Sequence, residues 1–353
     1  MLRAGCGDGG VRLHPGAWWL WALGLATAAS RTTNPLLLGL ILAVAGLVVV
    51  TCRANTPWAG TYGVFLKFGL LVIGMRVLLH VFLGGVAGPT TLFSLPQLPL
   101  PDWAQGIRIG GPVTAEGLVF ALYQGLLLAT ILSCVGAANA LANPKRLLRS
   151  LPAALYEVSV AVVVALTVAP QLVSSVRSVR KARQLRGDTA RGARAIRTML
   201  VPVLEDALER SLVLAASMDS RGYGRTAGIS RRDRVLTGTL VLAGLFGFCI
   251  GLYGLLSDAY SGWLLLAIGG VLAIAGLRVG ARRVPRTRYR PDRWSARAVG
   301  VASSGVIGAV VLVFSGDPAL SPSTVPLQAP ELPVLPALAV FAALAPVLLV
   351  RER

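Results

Sequence analysis

Apolar stretches separated by short basic or Pro- and Gly-rich breaks recur along the whole chain. Their lengths approach the roughly 20 residues needed to cross about 30 Å of hydrocarbon. A short stretch containing Trp18, Trp19 and Trp21 ends near Ser30, and Leu36 to Thr51, Tyr62 to Leu83 and Thr114 to Ala138 follow. After a more basic middle, the pattern resumes at Val235 to Leu256, Trp263 to Leu277, Val299 to Phe314 and Pro336 to Val350. The expected fold is therefore all-α and polytopic, with about eight transmembrane helices. Ala28-Ala29-Ser30 also has the small-residue pattern of a signal-peptidase site, so the first stretch reads either as a retained span or as a cleaved signal.

The middle region is read differently. Ala153 to Ala169 is apolar, but a crossing there would place residues 177–234, with fourteen Lys and Arg against six Asp and Glu, on the outer face. Cytoplasmic segments carry the excess of Lys and Arg, which argues against that crossing. The stretch is expected to lie against the bundle or to insert only in part, with Pro170 turning the helix toward the cytosol. A second long helix is bent at Pro202. Beyond that proline, Leu204, Leu208, Leu212, Ala215 and Met218 form an apolar stripe, while Glu205, Asp206, Glu209 and Arg210 lie on other faces. Arg191, Arg194 and Arg197 repeat every three residues, as a face meeting lipid phosphates would.

The chain then divides into a cytoplasmic tail (1–15), a four-span bundle (16–138), a cytoplasmic region of two long proline-bent helices (139–234) and a C-terminal four-span region (235–350). The loop 278–298 is strongly basic and belongs inside. Both termini are expected in the cytoplasm of a multi-pass plasma-membrane protein. The loop from Gly84 to Pro112 contains one Arg and no Lys, which fits the outer face.

Composition agrees with this reading. The 353 residues are 55% hydrophobic and 14% charged, with a mean hydropathy of +0.70. A net charge of +19 would suggest nucleic acid in a soluble protein. Here the basic residues sit beside spans, so anionic lipid headgroups are the expected partner and nucleic acid is not. Cys6, Cys52, Cys134 and Cys249 are scattered, and His14 and His80 have no Cys or carboxylate at helical spacing. No metal site or bound cofactor is expected in this chain.

Small residues recur at every fourth position of the fourth span: Gly117, Ala121, Gly125, Ala129, Ser133 and Ala137. Such a stripe lets another helix approach closely, from this chain or from another protein. Arg76 and His80 share a face of the third span. They either snorkel to the outer headgroups or, for Arg76, form an ion pair with Glu116.

Each long helix of the middle region ends in the same way. The first closes with Leu185-Arg186-Gly187 and the second with Ser220-Arg221-Gly222. Glycine just past a last turn takes the left-handed conformation at no Cβ cost, and a cation there faces the negative end of the helix dipole. A single copy would be an ordinary cap. Two copies put a guanidinium at the tip of each of two rigid rods, where its planar fork can grip a carboxylate.

With this pair in view, the chain resembles the transmembrane coupling subunit, or T-component, of energy-coupling factor (ECF) transporters, the group that includes cobalt- and biotin-uptake permeases. The resemblance spans about residues 12–256. It rests on Leu13-His14-Pro15, Asn34-Pro35-Leu36, Ala182-Arg183-Gln184-Leu185-Arg186-Gly187, Ala207-Leu208-Glu209-Arg210 and Met218-Asp219-Ser220-Arg221-Gly222-Tyr223-Gly224. In that family each coupling helix ends in an Xaa-Arg-Xaa triplet, often Ala-Arg-Gly, whose arginine docks in a groove of a cytoplasmic ATPase. The resemblance thus implies Arg186 and Arg221 as docking residues, within Leu185 to Gly187 and Ser220 to Gly222. Leu185 and Ser220 depart from the frequent alanine, and three spans after about Asp258 exceed the smallest family members. Two ATP-binding-cassette subunits and a small substrate-binding membrane protein are the implied partners.

Two other classes remain in view. A lipid-acting membrane enzyme would need converging carboxylates, His or Cys, but Asp102, Glu116, Glu157, Asp258 and Asp317 are dispersed. A secondary transporter would need midplane ionisable groups, and Arg76 alone supplies little. No P-loop occurs in the sequence, so an ATPase would have to be a separate chain.

Overall fold

In the computed structural model the described residues are 13–52, 60–83, 88–98, 109–142, 144–150, 156–187, 193–222, 231–257, 262–282 and 294–351. Within them the helices are α1 (Pro15–Ser30), α2 (Pro35–Cys52), α3 (Thr61–Leu83), α4 (Ala115–Leu141), α5 (Pro144–Arg149), α6 (Tyr156–Leu185), α7 (Ala193–Ser220), α8 (Arg231–Ser257), α9 (Gly262–Arg282), α10 (Ala296–Phe314), α11 (Val334–Ala342) and α12 (Ala345–Arg351). A single antiparallel hairpin, β1 (Thr91–Leu98) with β2 (Ile109–Thr114), lies between α3 and α4. The protein is an all-α polytopic membrane protein. Among the described residues, seven helices are long and apolar enough to cross a membrane: α2, α3, α4, α6, α8, α9 and α10.

This set differs from the sequence expectation in three places. First, α1 has only 16 residues. Second, the expected last span is split at Ala343 and Leu344 into α11 and α12, because Pro346 has no N–H to return to the carbonyl four residues earlier. Third, α6 qualifies by length and composition, because its apolar half continues into its basic half through Pro170 as one 30-residue helix.

Contacts divide the chain into two compact units, one of residues 1–147 with 292–353 and the other of residues 148–291. In the first unit, α1, α2, α4 and α10–α12 enclose a core that includes Trp21, Leu25, Leu37, Leu38, Ile41, Val48, Cys134, Val301, Leu312 and Val340. Helices α1 and α10 cross at two glycines. A Cβ on Gly24 would collide with the backbone of Gly305, and a Cβ on Gly305 would collide with that of Trp21. The crossing exists because neither residue has a side chain.

The turn between α1 and α2 is tied to the segment after α10 by polar groups. Asn34, fully buried, donates from Nδ2 to the carbonyls of Ala319 (2.9 Å) and Glu331 (2.6 Å), and its Oδ1 accepts from the N–H of Leu36 (3.0 Å). Thr32 donates its hydroxyl to Leu320 O (2.8 Å), and the N–H of Thr33 reaches the same carbonyl (2.9 Å). At the break between α11 and α12, Trp21 Nε1 donates to Ala343 O at 3.0 Å. His14 caps α1 by accepting from the N–H of Gly16, and its ring stacks on Trp294 with centroids 4.7 Å apart. Ala28 and Ala29, the small residues of the signal-like motif, are fully buried.

The small-residue stripe of α4 is buried along its length: Gly117, Ala121, Gly125, Ala129, Ser133 and Ala137. Its close neighbour lies in this chain. A Cβ on Gly69 of α3 would lie 3.2 Å from Ala129 Cβ, Gly125 backs onto Ile73, and Tyr62 hydrogen-bonds Ser133 at 2.9 Å. Arg76 comes beside Gly125, nine residues and about 13 Å along α4 from Glu116 at 1.5 Å per residue. That offset rules out the Arg76–Glu116 ion pair. The Glu116 carboxylate accepts instead from the Thr90 hydroxyl, and its buried Oε2 has no partner among the described residues.

Residues 91–98 and 109–112, which read as loop from the sequence, lie in the two strands. The signal of the hairpin is hidden by Pro96 in β1 and by Gly110, Gly111 and Pro112 in β2. A two-stranded sheet has only edge strands, so proline can sit where its missing N–H faces outward. Bulges fall between Thr91 and Phe93 and between Leu95 and Leu98.

The second unit contains α6 to α9. Helices α8 and α9 form an interlocked hairpin in which Gly244 meets the backbone of Ala273, Gly247 that of Gly269 and Gly251 that of Leu266. Leu242, Phe246, Tyr253, Trp263, Leu264 and Val271 remain exposed on its outside.

Candidate functional site

Helices α6 and α7 hold the two arginine tips. At 1.5 Å per residue, their 30 and 28 residues make rods of about 45 and 42 Å. Each runs through its proline, Pro170 or Pro202, without a break. Each proline removes one backbone hydrogen bond from the ladder.

The two ends have closely similar geometry. Leu185 is the last residue of α6, the N–H of Arg186 bonds back to Ala182 O and Arg183 O, and Gly187 takes φ +70° with its N–H on Gln184 O. Ser220 is the last residue of α7, the N–H of Arg221 bonds to Met218 O, and Gly222 takes φ +75° with its N–H on Asp219 O. Positive φ is why glycine is needed in both places. Among the described residues, nothing lies within 4 Å of where a Cβ would be at Gly187 or Gly222. Leu185 is 81% exposed, and Arg186, Ser220 and Arg221 are exposed as well. Each arginine is therefore exposed immediately after the last residue of its helix.

The helices are joined by a polar contact that periodicity does not reveal. Asp206 of α7 accepts from Arg210 Nε at 2.8 Å and from the side chain of Ser175 on α6. Ser175 is 7% exposed, and α6 and α7 are in contact. The Arg210 bond first, and then the Ser175 bond, hold the Asp206 carboxyl below its ordinary range. Asp206 reads from sequence as a polar-face residue. A signal was present in its place four residues after Pro202, against Ser175 five residues after Pro170.

In the apolar stripe of α7, Leu204, Leu208 and Leu212 are 51, 63 and 70% exposed among the described residues. Arg191 and the side chains of Arg194 and Arg197, like most of the basic loop 278–298, lie outside the described residues. Among the described residues no group of three or more His, Cys, Asp or Glu is placed to hold a metal. Of the dispersed acids, Asp317 caps the turn Pro318–Leu320 and Glu116 is buried beneath Thr90. Asp102, Asp258 and the Glu157 side chain lie outside the described residues.

Fold and tips together define a multi-pass helical membrane protein with a pair of long arginine-ended helices. The chain belongs to the CbiQ family of cobalt transport proteins, whose family model matches residues 11–231, more than half of the 353. This is the T-component family of ECF transporters, a transport family and not a catalytic one. No curated protein sequence matches the chain. The family match takes in both arginine tips and stops at the start of α8, so α9 to α12 lie beyond it.

Proposed function

We propose that this chain is the non-catalytic coupling subunit of an ATP-driven, ECF-type importer of a transition-metal ion, cobalt by family, or of a vitamin. Arg186 and Arg221 each dock on one of two cytoplasmic ATP-binding-cassette subunits. ATP binding draws the ATPases together and carries both tips with them, and α6 and α7 pass the motion to a small substrate-binding membrane protein. The exposed Leu204, Leu208 and Leu212 stripe is the surface offered to that partner. In this reading both termini and the basic ends of α6 and α7 are cytoplasmic, as the distribution of Lys and Arg favours. ATP hydrolysis belongs to the separate subunits.

The observation that carries the reading is the matched geometry of the two ends: helix, exposed arginine, left-handed glycine, twice in one chain. A lone cap would leave one end plain. A guanidinium at such a tip suits a bidentate grip on a carboxylate. The test is cobalt-ion uptake by cells carrying the Arg186→Glu plus Arg221→Glu variant. Uptake should fall to background while the amount of chain in the membrane is unchanged. Normal uptake in the double variant would remove the docking role.

A further inference from the structure

The two arginine tips share a backbone geometry but not a charge. The six residues leading to Arg186 span about 9 Å of helix, and they hold Arg180, Lys181 and Arg183 with no Asp or Glu. The six leading to Arg221 hold Asp219 and no cation. With the tip arginines included, one end carries four positive charges, and the other carries one cation balanced by one anion. Position by position, α7 has Ala215, Ala216 and Met218 where α6 has Arg180, Lys181 and Arg183. Arg180, Lys181 and Asp219 are exposed, and Arg183 is partly so. The Debye length is about 10 Å at 0.1 M salt, so these charges act together on whatever surface receives each arginine.

We propose that the two tips dock on ATPase surfaces of different charge, α6 on one rich in carboxylates and α7 on one close to neutral, so that the two ATP-binding-cassette subunits are different polypeptides. This inference rests on the docking role of Arg186 and Arg221. Complementary charge across an interface steers encounter and fixes register, and like charges brought together are costly. A surface with acids enough to answer four cations would repel Asp219 at the second tip. A surface with a single carboxylate, enough for Arg221, would answer one of the four cations at the first. Two identical ATPases would present the same surface to both tips and suit only one of them. Two different ones suit both, and the chain then seats in a single orientation, with α6 on the more acidic subunit. Lipid headgroups also attract basic residues. Arg180, Lys181 and Arg183, however, belong to the last two turns before Arg186, so the surface that receives the arginine meets them as well.

The test uses the full chain in its native membrane, with a benzophenone amino acid in place of Ala182 or, separately, of Ser217. Both positions are exposed and uncharged, and each lies four residues before its tip arginine. After irradiation the crosslinked polypeptides are identified by mass spectrometry. The expected result is one ATPase at position 182 and a second, different ATPase at position 217. The same polypeptide at both positions, or an ATPase at one alone, would overturn this inference and leave the docking role standing. No ATPase at either position would overturn both. The charge is tested by adding Arg180→Gln and Lys181→Gln to each probe. The crosslink at position 182 should fall several-fold, and that at position 217 by less. No fall would give the two cations to lipid headgroups, and an equal fall would make the tips equivalent; either result refutes the proposal.

Discussion

Adding a methyl group at Gly24 should separate two helices that otherwise touch backbone to backbone. Gly24 of α1 faces Gly305 of α10, and a Cβ there would run into the Gly305 carbonyl. Backbone cannot rotate aside as a flexible side chain can, so the axes must part by about an ångström, an overpacking cost of roughly 1–3 kcal/mol. Replacing a helical glycine by alanine also gains about 0.5–1 kcal/mol. Gly39 of α2 supplies the control, because nothing lies within 4 Å of its would-be Cβ. Gly39→Ala should show the propensity gain alone. The propensity terms cancel between the two variants, so they should differ by the overpacking cost, about 1–3 kcal/mol. The assay is unfolding of the purified chain in mixed micelles of increasing dodecyl sulfate fraction. Combining Gly24→Ala with Gly305→Ala should cost less than the sum of the two, because the helices have already moved apart. If Gly24→Ala were as stable as Gly39→Ala, α10 would not pack on α1 as described.

Further expectations follow from the polar contacts and the helix ends. Asn34→Ala leaves the carbonyls of Ala319 and Glu331 without their donor. It should destabilise the chain by about 1–3 kcal/mol and speed proteolysis between α10 and α11, read by limited digestion in detergent. Asp206 is held below its ordinary range by Arg210 and Ser175, so its contribution is present above the unfolded pKa of about 4 and is lost as pH falls through the lower folded value. Spin labels on α6 and α7 should report loosening only in that acid window, and Asp206→Asn should remove this step. Gly187→Ala and Gly222→Ala force alanine into a left-handed backbone that costs about 1–2 kcal/mol. They should re-aim the arginines, weakening ATPase retention in pull-downs less than loss of the charge does.

Much of this protein is legible in its sequence because lipid removes alternatives: a long apolar run has to be a helix. The two ends at Arg186 and Arg221 could be read because glycine past a last turn has a specific conformational meaning, and both glycines do take positive φ. Long-range pairing was not legible. Nothing in the apolar run of α10 says that Gly305 belongs against Gly24, or that Asn34 finds its acceptors 285 and 297 residues away. The hairpin was hidden because its prolines and glycines carry the signature of a loop. The Arg76–Glu116 pairing failed because sequence gives the face of a residue but not the vertical offset between helices. Ser175 and Asp206 were hidden for a related reason, since a polar residue on an amphipathic helix reads as solvent-facing until its neighbour is known.

The coupling role is tested most directly by what the chain holds. A tagged chain should be extracted from its native membrane in mild detergent, beside the Arg186→Glu plus Arg221→Glu variant, and the co-purifying proteins identified and quantified. The account predicts two ATP-binding-cassette subunits and a small membrane protein with the wild type, and the small membrane protein alone with the variant. Recovery of both ATPases in equal amount with the variant would contradict it. So would a wild-type chain that comes down alone under conditions preserving other membrane complexes, in which case Arg186 and Arg221 would be ordinary ends of two long helices.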